Sequence, residues 1–210
     1  TSVESDTSPH TAQTVSGITY AAAALTKVTS KNVTGNTDNG VEIWRLIAPA
    51  TGANTVEVTW TGEVDGSFAA AVSFTGVDQT TPENGSGVGE TTPAGASCAA
   101  SVTTSVANCF LLNVLHATNS ATTLTKDAND TQLYNEATTG DHFNAVAYRS
   151  VTTATTYTST WTASPDDVMA MAMVGIRPAS GSSVSPSESV SPSASVSPSA
   201  SVSPSASVSA

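Results

Sequence analysis

Asp166 and Asp167 directly follow Pro165. Two adjacent carboxylates suggest general acid–base work of the kind used in glycoside hydrolysis. Neighbours in a strand-edge turn point apart, however, and Asp is common in turns because its side chain bonds the local backbone. The pair therefore reads as a turn. Asn36-Thr37-Asp38-Asn39-Gly40 has oxygen ligands at alternate positions ahead of its glycine, like the first half of a calcium loop. The bidentate Glu that closes such a loop is missing, so the segment reads as a turn entering a strand at Val41. Asp127, Asn129 and Asp130 repeat the pattern, and calcium at either place is carried only as a weak candidate cofactor. His10, His116 and His142 are far apart in sequence. A Ser/His/Asp triad can be drawn from so many hydroxyls, but no Gly-x-Ser-x-Gly elbow supports one. Histidines at strand ends bonded to backbone or water are the simpler expectation. The sequence predicts no enzyme, no catalytic residue and no metal site.

A second group of residues could carry covalent modification. Asn32, Asn84 and Asn129 each begin an Asn-x-Ser/Thr triplet and are candidate N-glycosylation sites. Cys98 and Cys109 are the only cysteines, and their separation of 11 residues can close a hairpin-sized loop. In an oxidising compartment they could form a disulfide. The alternative is two buried thiols packed as small apolar side chains. They have neither the CxxC spacing nor the His neighbour that zinc would need.

The strongest signal is at the C-terminal end. From Gly181 onward, 15 of 30 residues are Ser, and the unit Ser-Val-Ser-Pro-Ser-Ala recurs with Pro186, Pro192, Pro198 and Pro204 in strict period. Without aromatic or long aliphatic side chains, this segment cannot bury enough surface to offset chain entropy. Proline at every sixth position blocks a helix and a central strand. An extended tail is expected, reaching very roughly 90 Å at ~3.1 Å per residue. Ser/Pro repeats of this composition form O-glycosylated stalks. Ser185, Ser187, Ser191, Ser193, Ser197, Ser199, Ser203 and Ser205 flank the prolines and are candidate O-glycosylation sites. The plain alternative is a bare spacer.

The elements that must position these residues are strands. Only 11% of the 210 residues are charged, with 6 Lys+Arg against 17 Asp+Glu and a net charge of −11. Glu, Lys, Leu and Arg are too scarce for a helical bundle, and so few cations argue against nucleic acid as a partner. No apolar run approaches the ~20 residues that span a bilayer, so no membrane insertion is expected. Val56, Val58 and Trp60 alternate with Thr55, Glu57 and Thr59, and Phe68, Ala70, Val72 and Phe74 share one face of the next strand. Residues 109–117 are almost continuously apolar, as in a central strand covered on both sides. Val146 and Tyr148 resume the alternation, followed by Tyr157, Ser159 and Trp161, and residues 168–176 close the fold. Met169, Met171 and Met173 lie at spacing two and read as core packing, since no His or Cys joins them as a copper ligand. Turn signals fall at 49–54, 62–66, 76–82, 84–89, 93–95 and 165–167. Eight to ten short strands are therefore expected in an all-β, antiparallel β-sandwich of jelly-roll or immunoglobulin-like type over residues 1–180, followed by the extended repeat tail at 181–210. Trp44, Trp60 and Trp161, with Tyr20, Tyr134, Tyr148 and Tyr157, could stack on sugars. Trp60 and Trp161 fall on apolar strand faces, which points to core.

Two stretches carry a resemblance. They are Val41-Glu42-Ile43-Trp44-Arg45-Leu46-Ile47-Ala48-Pro49-Ala50-Thr51-Gly52-Ala53-Asn54-Thr55-Val56 and Ala71-Val72-Ser73-Phe74-Thr75-Gly76-Val77-Asp78-Gln79-Thr80-Thr81-Pro82. Together they resemble an uncharacterised β-sandwich domain of phage structural proteins and bacterial secreted or surface proteins, over roughly residues 1–178. The resemblance implies a structural or surface setting and no reaction. It also implies one or two strands ahead of the position of Thr1, so that this chain would begin inside or just after a strand. A sandwich short of a strand exposes an unpaired edge, which a neighbouring subunit can fill by donating one. Head-to-tail contacts of that kind build filaments. The leading expectation is an extracellular or cell-surface structural protein: a glycosylated fibril or surface-layer subunit whose partners are further copies of itself and covalent glycans. The second is a carbohydrate-binding or adhesive module of a phage or cell surface.

Overall fold

The computed structural model describes residues 2–4, 14–34, 36–61, 66–118, 121, 123–137 and 142–194. All regular structure among them is β. In chain order the strands are β1 (Ser2–Glu4), β2 (Val15–Tyr20), β3 (Ala23–Ala24), β4 (Thr26–Val33), β5 (Asn36–Arg45), β6 (Val56–Trp60), β7 (Gly66–Thr75), β8 (Glu83–Thr103), β9 (Cys109–Ala117), β10 (Thr123–Thr125), β11 (Thr131–Ala137), β12 (Phe143–Val151), β13 (Thr156–Ile176) and β14 (Ser185–Ala194). Every pairing between them is antiparallel. One sheet runs β14-β7-β1-β5-β4, a second β10-β13-β9-β12-β11 with β8 also on β13, and a small third β3-β2-β6.

The predicted central strand is β9, with the bounds expected from its apolar run. Its alternation serves two cores. Leu111 and Leu115 join Met169, Met171, Met173, Ala145, Ala147 and Trp161 on one side. On the other side Val114 joins Val146, Ala170, Ala172, Val174, Val41, Ile43 and Phe68. The alternate residues of β13 therefore divide by size, methionine towards one core and alanine or valine towards the other. None of the three methionines is exposed, as core packing requires.

β8 and β13 are each 21 residues long and pair from Thr156 opposite Thr103 to Ile176 opposite Glu83, with an interruption around Asp167. The turn signals at 84–89, 93–95 and 165–167 therefore fall inside strands, which corrects the sequence reading. The register slips around Asp167, where Thr162 pairs with Ser97 and Met169 with Thr91. The two strands bend there together. Residues 97–103 with 156–164 fold over the half that carries 83–91 with 169–176, and Cys98, Ala100, Val102, Trp161 and Ala163 close onto the methionine side of β13. Glycine at 87 and 89 marks close approach here. A Cβ on Gly87 would run into the Ser101 carbonyl, and one on Gly89 into that of Ala99. These glycines pair with Met173 and Met171. Long side chains fill the wide part of the wedge, and bare backbone lets it narrow.

The candidate disulfide is not formed. Cys98 and Cys109 are free, buried thiols, on strands that reach the core from different layers. Cys98 lies opposite Trp161 and Cys109 opposite Val151. Burial pushes the Cys98 thiol up to about 11, so it is a poor nucleophile at neutral pH.

The repeat segment behaves differently from a detached tail. Its first part is extended as expected, but it is paired: β14 lies on the outer edge of β7, with Ser187 opposite Ser73 and Pro192 opposite Ala70. Proline is compatible with this place because an edge strand needs ladder bonds on one side only.

Candidate functional site

The exit of the chain from the folded head is built to deliver the repeat onto β7. Gly76 follows β7 with φ of 71°, and a Cβ there would collide with the Ser183 carbonyl. The Ala179 amide donates to the Gly76 carbonyl at 2.7 Å and the Asp78 amide to the Arg177 carbonyl at 3.1 Å. Val77 bridges Pro178. The Asp78 carboxylate accepts from the amides of Thr80 and Thr81 at 2.8 and 2.9 Å. These bonds, with Arg177 nearby, hold its pKa below the usual carboxylate value. Val184 is buried, and Ser185, exposed, opens β14 opposite Thr75.

The register then sets the chemistry of the repeat. Ser185, Ser187, Ser191 and Ser193 pair with Thr75, Ser73, Ala71 and Ala69. Of these four β7 residues, Thr75, Ser73 and Ala71 are exposed and Ala69 half-buried, whereas Phe68 is buried and Ala70 and Phe74 half-buried on the alternate positions. The serines thus occupy the register of the outward set of β7, and Pro186, Pro192 and Ala194 that of the inward set. A six-residue repeat is a whole number of two-residue strand periods, so this parity is kept, and the two extra residues between Ser187 and Ser191 preserve it. Ser197, Ser199, Ser203 and Ser205 lie outside the described residues.

The N-glycosylation candidates separate. Asn32 and Asn129 are exposed. Asn84 is a core residue in the fold: it is 4% exposed, its Nδ2 donates to Cys109 Sγ at 2.9 Å, and its Oδ1 accepts from the Ser105 amide and hydroxyl at 3.0 and 2.7 Å. Both ends of the amide are used in packing the 104–108 turn, so Asn84 is withdrawn as a glycan site on the folded protein.

The calcium candidates do not assemble either. Residues 36–40 form the start of β5 rather than a turn, with Asn36 opposite Val33 and Gly40 opposite Asn32. At 127–130, Asp127 Oδ1 accepts from the Asn129 amide at 2.8 Å, which shapes the turn, while Asp130 is drawn inward. No cluster of three or more His, Cys, Asp or Glu suited to a metal occurs among the described residues. Asp166 is exposed and Asp167 buried, so the two carboxylates do point apart. Asp167 accepts from Thr118 Oγ1 and the Ala121 and Val168 amides at 2.7 to 2.9 Å, tying the end of β9 to the bend in β13.

Two buried polar groupings that sequence reasoning missed support the fold. In the first, Asp130 sits 3.0 Å from Arg149 Nε. Asn113 Nδ2 donates to Asp130 Oδ2 at 3.0 Å, Trp161 Nε1 donates to Asn113 Oδ1 at 2.8 Å, and Arg149 also donates to Ser159 Oγ at 2.8 Å. Burial pushes the Asp130 carboxyl up, and Ser159 and Arg149 hold it back. The polar Asn113 inside the apolar run of β9 was the only local sign of this network.

In the second, His116 is fully buried, its Nδ1 3.0 Å from Asn144 Oδ1, and its ring stacks on His142 at 5.4 Å. Burial is the main force holding its pKa down to about 4, with the nearby His142 adding to it. Unfolded, the same ring titrates near its ordinary 6.5. Between these values the unfolded chain binds a proton that the folded chain refuses, so stability falls as pH drops from 6.5 towards 4. His116 contributes roughly 3 kcal/mol to that loss. Urea midpoints at pH 7, 5.5 and 4 are expected to fall in that order, and His116→Gln is expected to flatten the slope in this window. An unchanged slope in the variant overturns the assignment. His10 lies outside the described residues.

The aromatic residues are largely internal. Trp161 and Phe110 are 0% exposed, and the large apolar residues that are exposed, Ile47, Val56 and Val88, include no aromatic. No helix among the described residues is long and apolar enough to cross a membrane. No protein-family model, curated protein or solved structure matches the chain.

Proposed function

We propose that this protein is an extracellular structural subunit. Its β-layers form a sandwich that assembles with further copies into a fibril or surface layer, and its Ser/Pro repeat is a hydroxyl-bearing track for O-linked glycans. The resemblance to β-sandwich domains of phage and bacterial surface proteins belongs to the same reading. One observation carries it: Ser185, Ser187, Ser191 and Ser193 of the repeat are in register with the outward set of β7, three of its four positions exposed and Ala69 half-buried, so their places along the chain share the outward parity of the sheet. A sugar-bearing acidic surface favours hydration and solubility. The carbohydrate-binding alternative needs aromatic rings in an open groove; Trp161 is buried and Trp44 and Trp60 are half-buried, which weighs against it.

Intact mass of protein isolated from its source tests the glycan track. Mass well above the 21.0 kDa of the bare chain is expected, in hexose-sized steps that map to residues 181–210. An unmodified mass removes the glycan part of the proposal. Negative-stain microscopy of the same sample tests the assembly part, and a single subunit at high concentration removes it.

A further inference from the structure

Near its start, β8 needs both residues of the dipeptide Asn84-Gly85. Along the ladder with β13, Glu83 pairs with Ile176 and Ser86 with Val174, so Asn84 and Gly85 together face the single residue Gly175. This is a β-bulge, and its glycine takes φ of 90°, a conformation that side chains disfavour. Space demands the same residue. A Cβ on Gly85 would meet the Thr103 carbonyl at 2.6 Å, and one on Gly175 the Asn84 carbonyl at 2.5 Å. Asn84 is fixed by its amide. Oδ1 accepts from the amide and hydroxyl of Ser105, and Nδ2 donates to Cys109 Sγ. Cys109 Sγ in turn donates to the Val106 carbonyl at 3.2 Å. One side chain thereby holds the 104–108 turn at Ser105 and at Cys109. The fold thus requires asparagine followed directly by glycine at this place.

That dipeptide is also open to deamidation, because a following residue without a Cβ lets its amide nitrogen approach the asparagine side chain. We propose that Asn84-Gly85 is a covalent modification site, closed while the 104–108 turn is docked and open when the turn lets go. In the step itself the Gly85 amide nitrogen, having given its proton to solvent base, attacks Asn84 Cγ. A C–N bond forms, the Cγ–Nδ2 bond breaks, and Nδ2 leaves as ammonia with a proton taken from water. Water then opens the cyclic imide at either carbonyl, giving aspartate or its β-linked isomer. The docked turn forbids the first step. Cγ must swing back towards its own main chain, which breaks the bonds to Ser105 and Cys109. At 4% exposure Asn84 is also shielded from the base and water that the reaction consumes. The product resists closure. An aspartate puts an oxygen where Nδ2 stood, facing a sulfur whose own proton goes to Val106, and a buried charge short of a donor is costly. The β-linked isomer lengthens the main chain at the bulge and disturbs the register of Glu83 with Ile176. Each opening that ends in deamidation therefore leaves a chain that opens more readily.

The test holds the full chain at mildly alkaline pH, in buffer and in urea above its unfolding midpoint, and follows Asn84 by peptide mapping that separates asparagine, aspartate and isoaspartate. Asn39-Gly40, the same dipeptide elsewhere in the chain, calibrates the rate in urea. Asn84 is expected to react as fast as Asn39 in urea and about a hundredfold or more slowly in buffer, since a docked turn opens only by local unfolding. Ser105→Ala is expected to speed the reaction in buffer roughly fivefold, the weight of one hydrogen bond, and to leave the rate in urea unchanged. Equal rates at Asn84 in buffer and urea overturn the proposal, and so does a folded Ser105→Ala chain that reacts no faster than wild type. Should Ser105→Ala fail to fold, the ratio of the two wild-type rates decides. Asn84→Asp is expected to lower the urea midpoint, and an unchanged midpoint overturns the claim that the product resists closure.

Discussion

Gly87→Val is expected to destabilise the protein by about 3 kcal/mol or more, at the upper end of overpacking changes. The reason is steric and local. The position of its Cβ is already taken by the Ser101 carbonyl, and Ser101 belongs to the other half of the same strand. Relief requires the folded-over layer to move outward, which would part Trp161 and Ala163 from Met171 and Met173. The carbonyl is backbone, so no rotamer change can absorb the clash. Gly89→Val is expected to behave alike, through the Ala99 carbonyl. Gly17→Ala is the control: nothing lies within 4 Å of its Cβ position, and a change near zero is expected. Denaturant midpoints of the three variants check the claim, and a Gly87→Val chain as stable as Gly17→Ala would show that the layers do not converge at β8.

Arg149→Met is expected to cost about 3–5 kcal/mol, the range for breaking a buried ion pair from one side. Arg149 is the cation beside Asp130, whose side chain is 0% exposed, and it also donates to the Thr158 carbonyl at 2.8 Å. Without it the Asp130 carboxylate is left charged in an apolar surround, next to Asn113 and Trp161. The double variant Arg149→Met with Asp130→Asn is expected to recover a large part of the loss, because removing both charges removes the uncompensated one. The pH dependence follows the same physics. Burial already raises the Asp130 carboxyl above its ordinary value, and loss of the cation raises it further. A group with a raised folded pKa favours the folded state while it is protonated and loses that advantage as pH rises through the folded pKa. The deficit of Arg149→Met is therefore expected to shrink on acidification. Arg149 also lies over the Tyr157 ring, 5.9 Å from its centroid, and a double variant no better than the single one would place the loss in that packing rather than in charge.

Surface pairs are a smaller matter. Glu90 is held down to about 2 by hydrogen bonds from Lys31 and Thr34, and Lys31 approaches it at 2.8 Å. This joins β4 to β8, but both side chains keep about a quarter of their surface in water, and such pairs contribute little.

Strands whose neighbours in sequence share a burial pattern are legible in the amino-acid order itself. β9 shows itself as an unbroken apolar run, β6 and β7 as alternation, and β13 as methionine at every second place, because side-chain direction along a strand depends only on local backbone geometry. The all-β class and the extended state of the first part of the repeat, Ser185–Ala194, follow from the same local rules and from proline chemistry. Whatever joins residues far apart in the chain was decided by the layers. Glycine at 85, 87 and 89 has the same letters whether it makes a turn or lets two backbones touch, and only the fold of β8 over itself selects the second. Asn84 carries a glycosylation triplet, yet its amide is used up by Cys109 and Ser105. Asp130 meets Arg149 across a distance in sequence that no periodicity spans. The place of β1 between β5 and β7 likewise has no local signature, since it is set by the two strands that it joins.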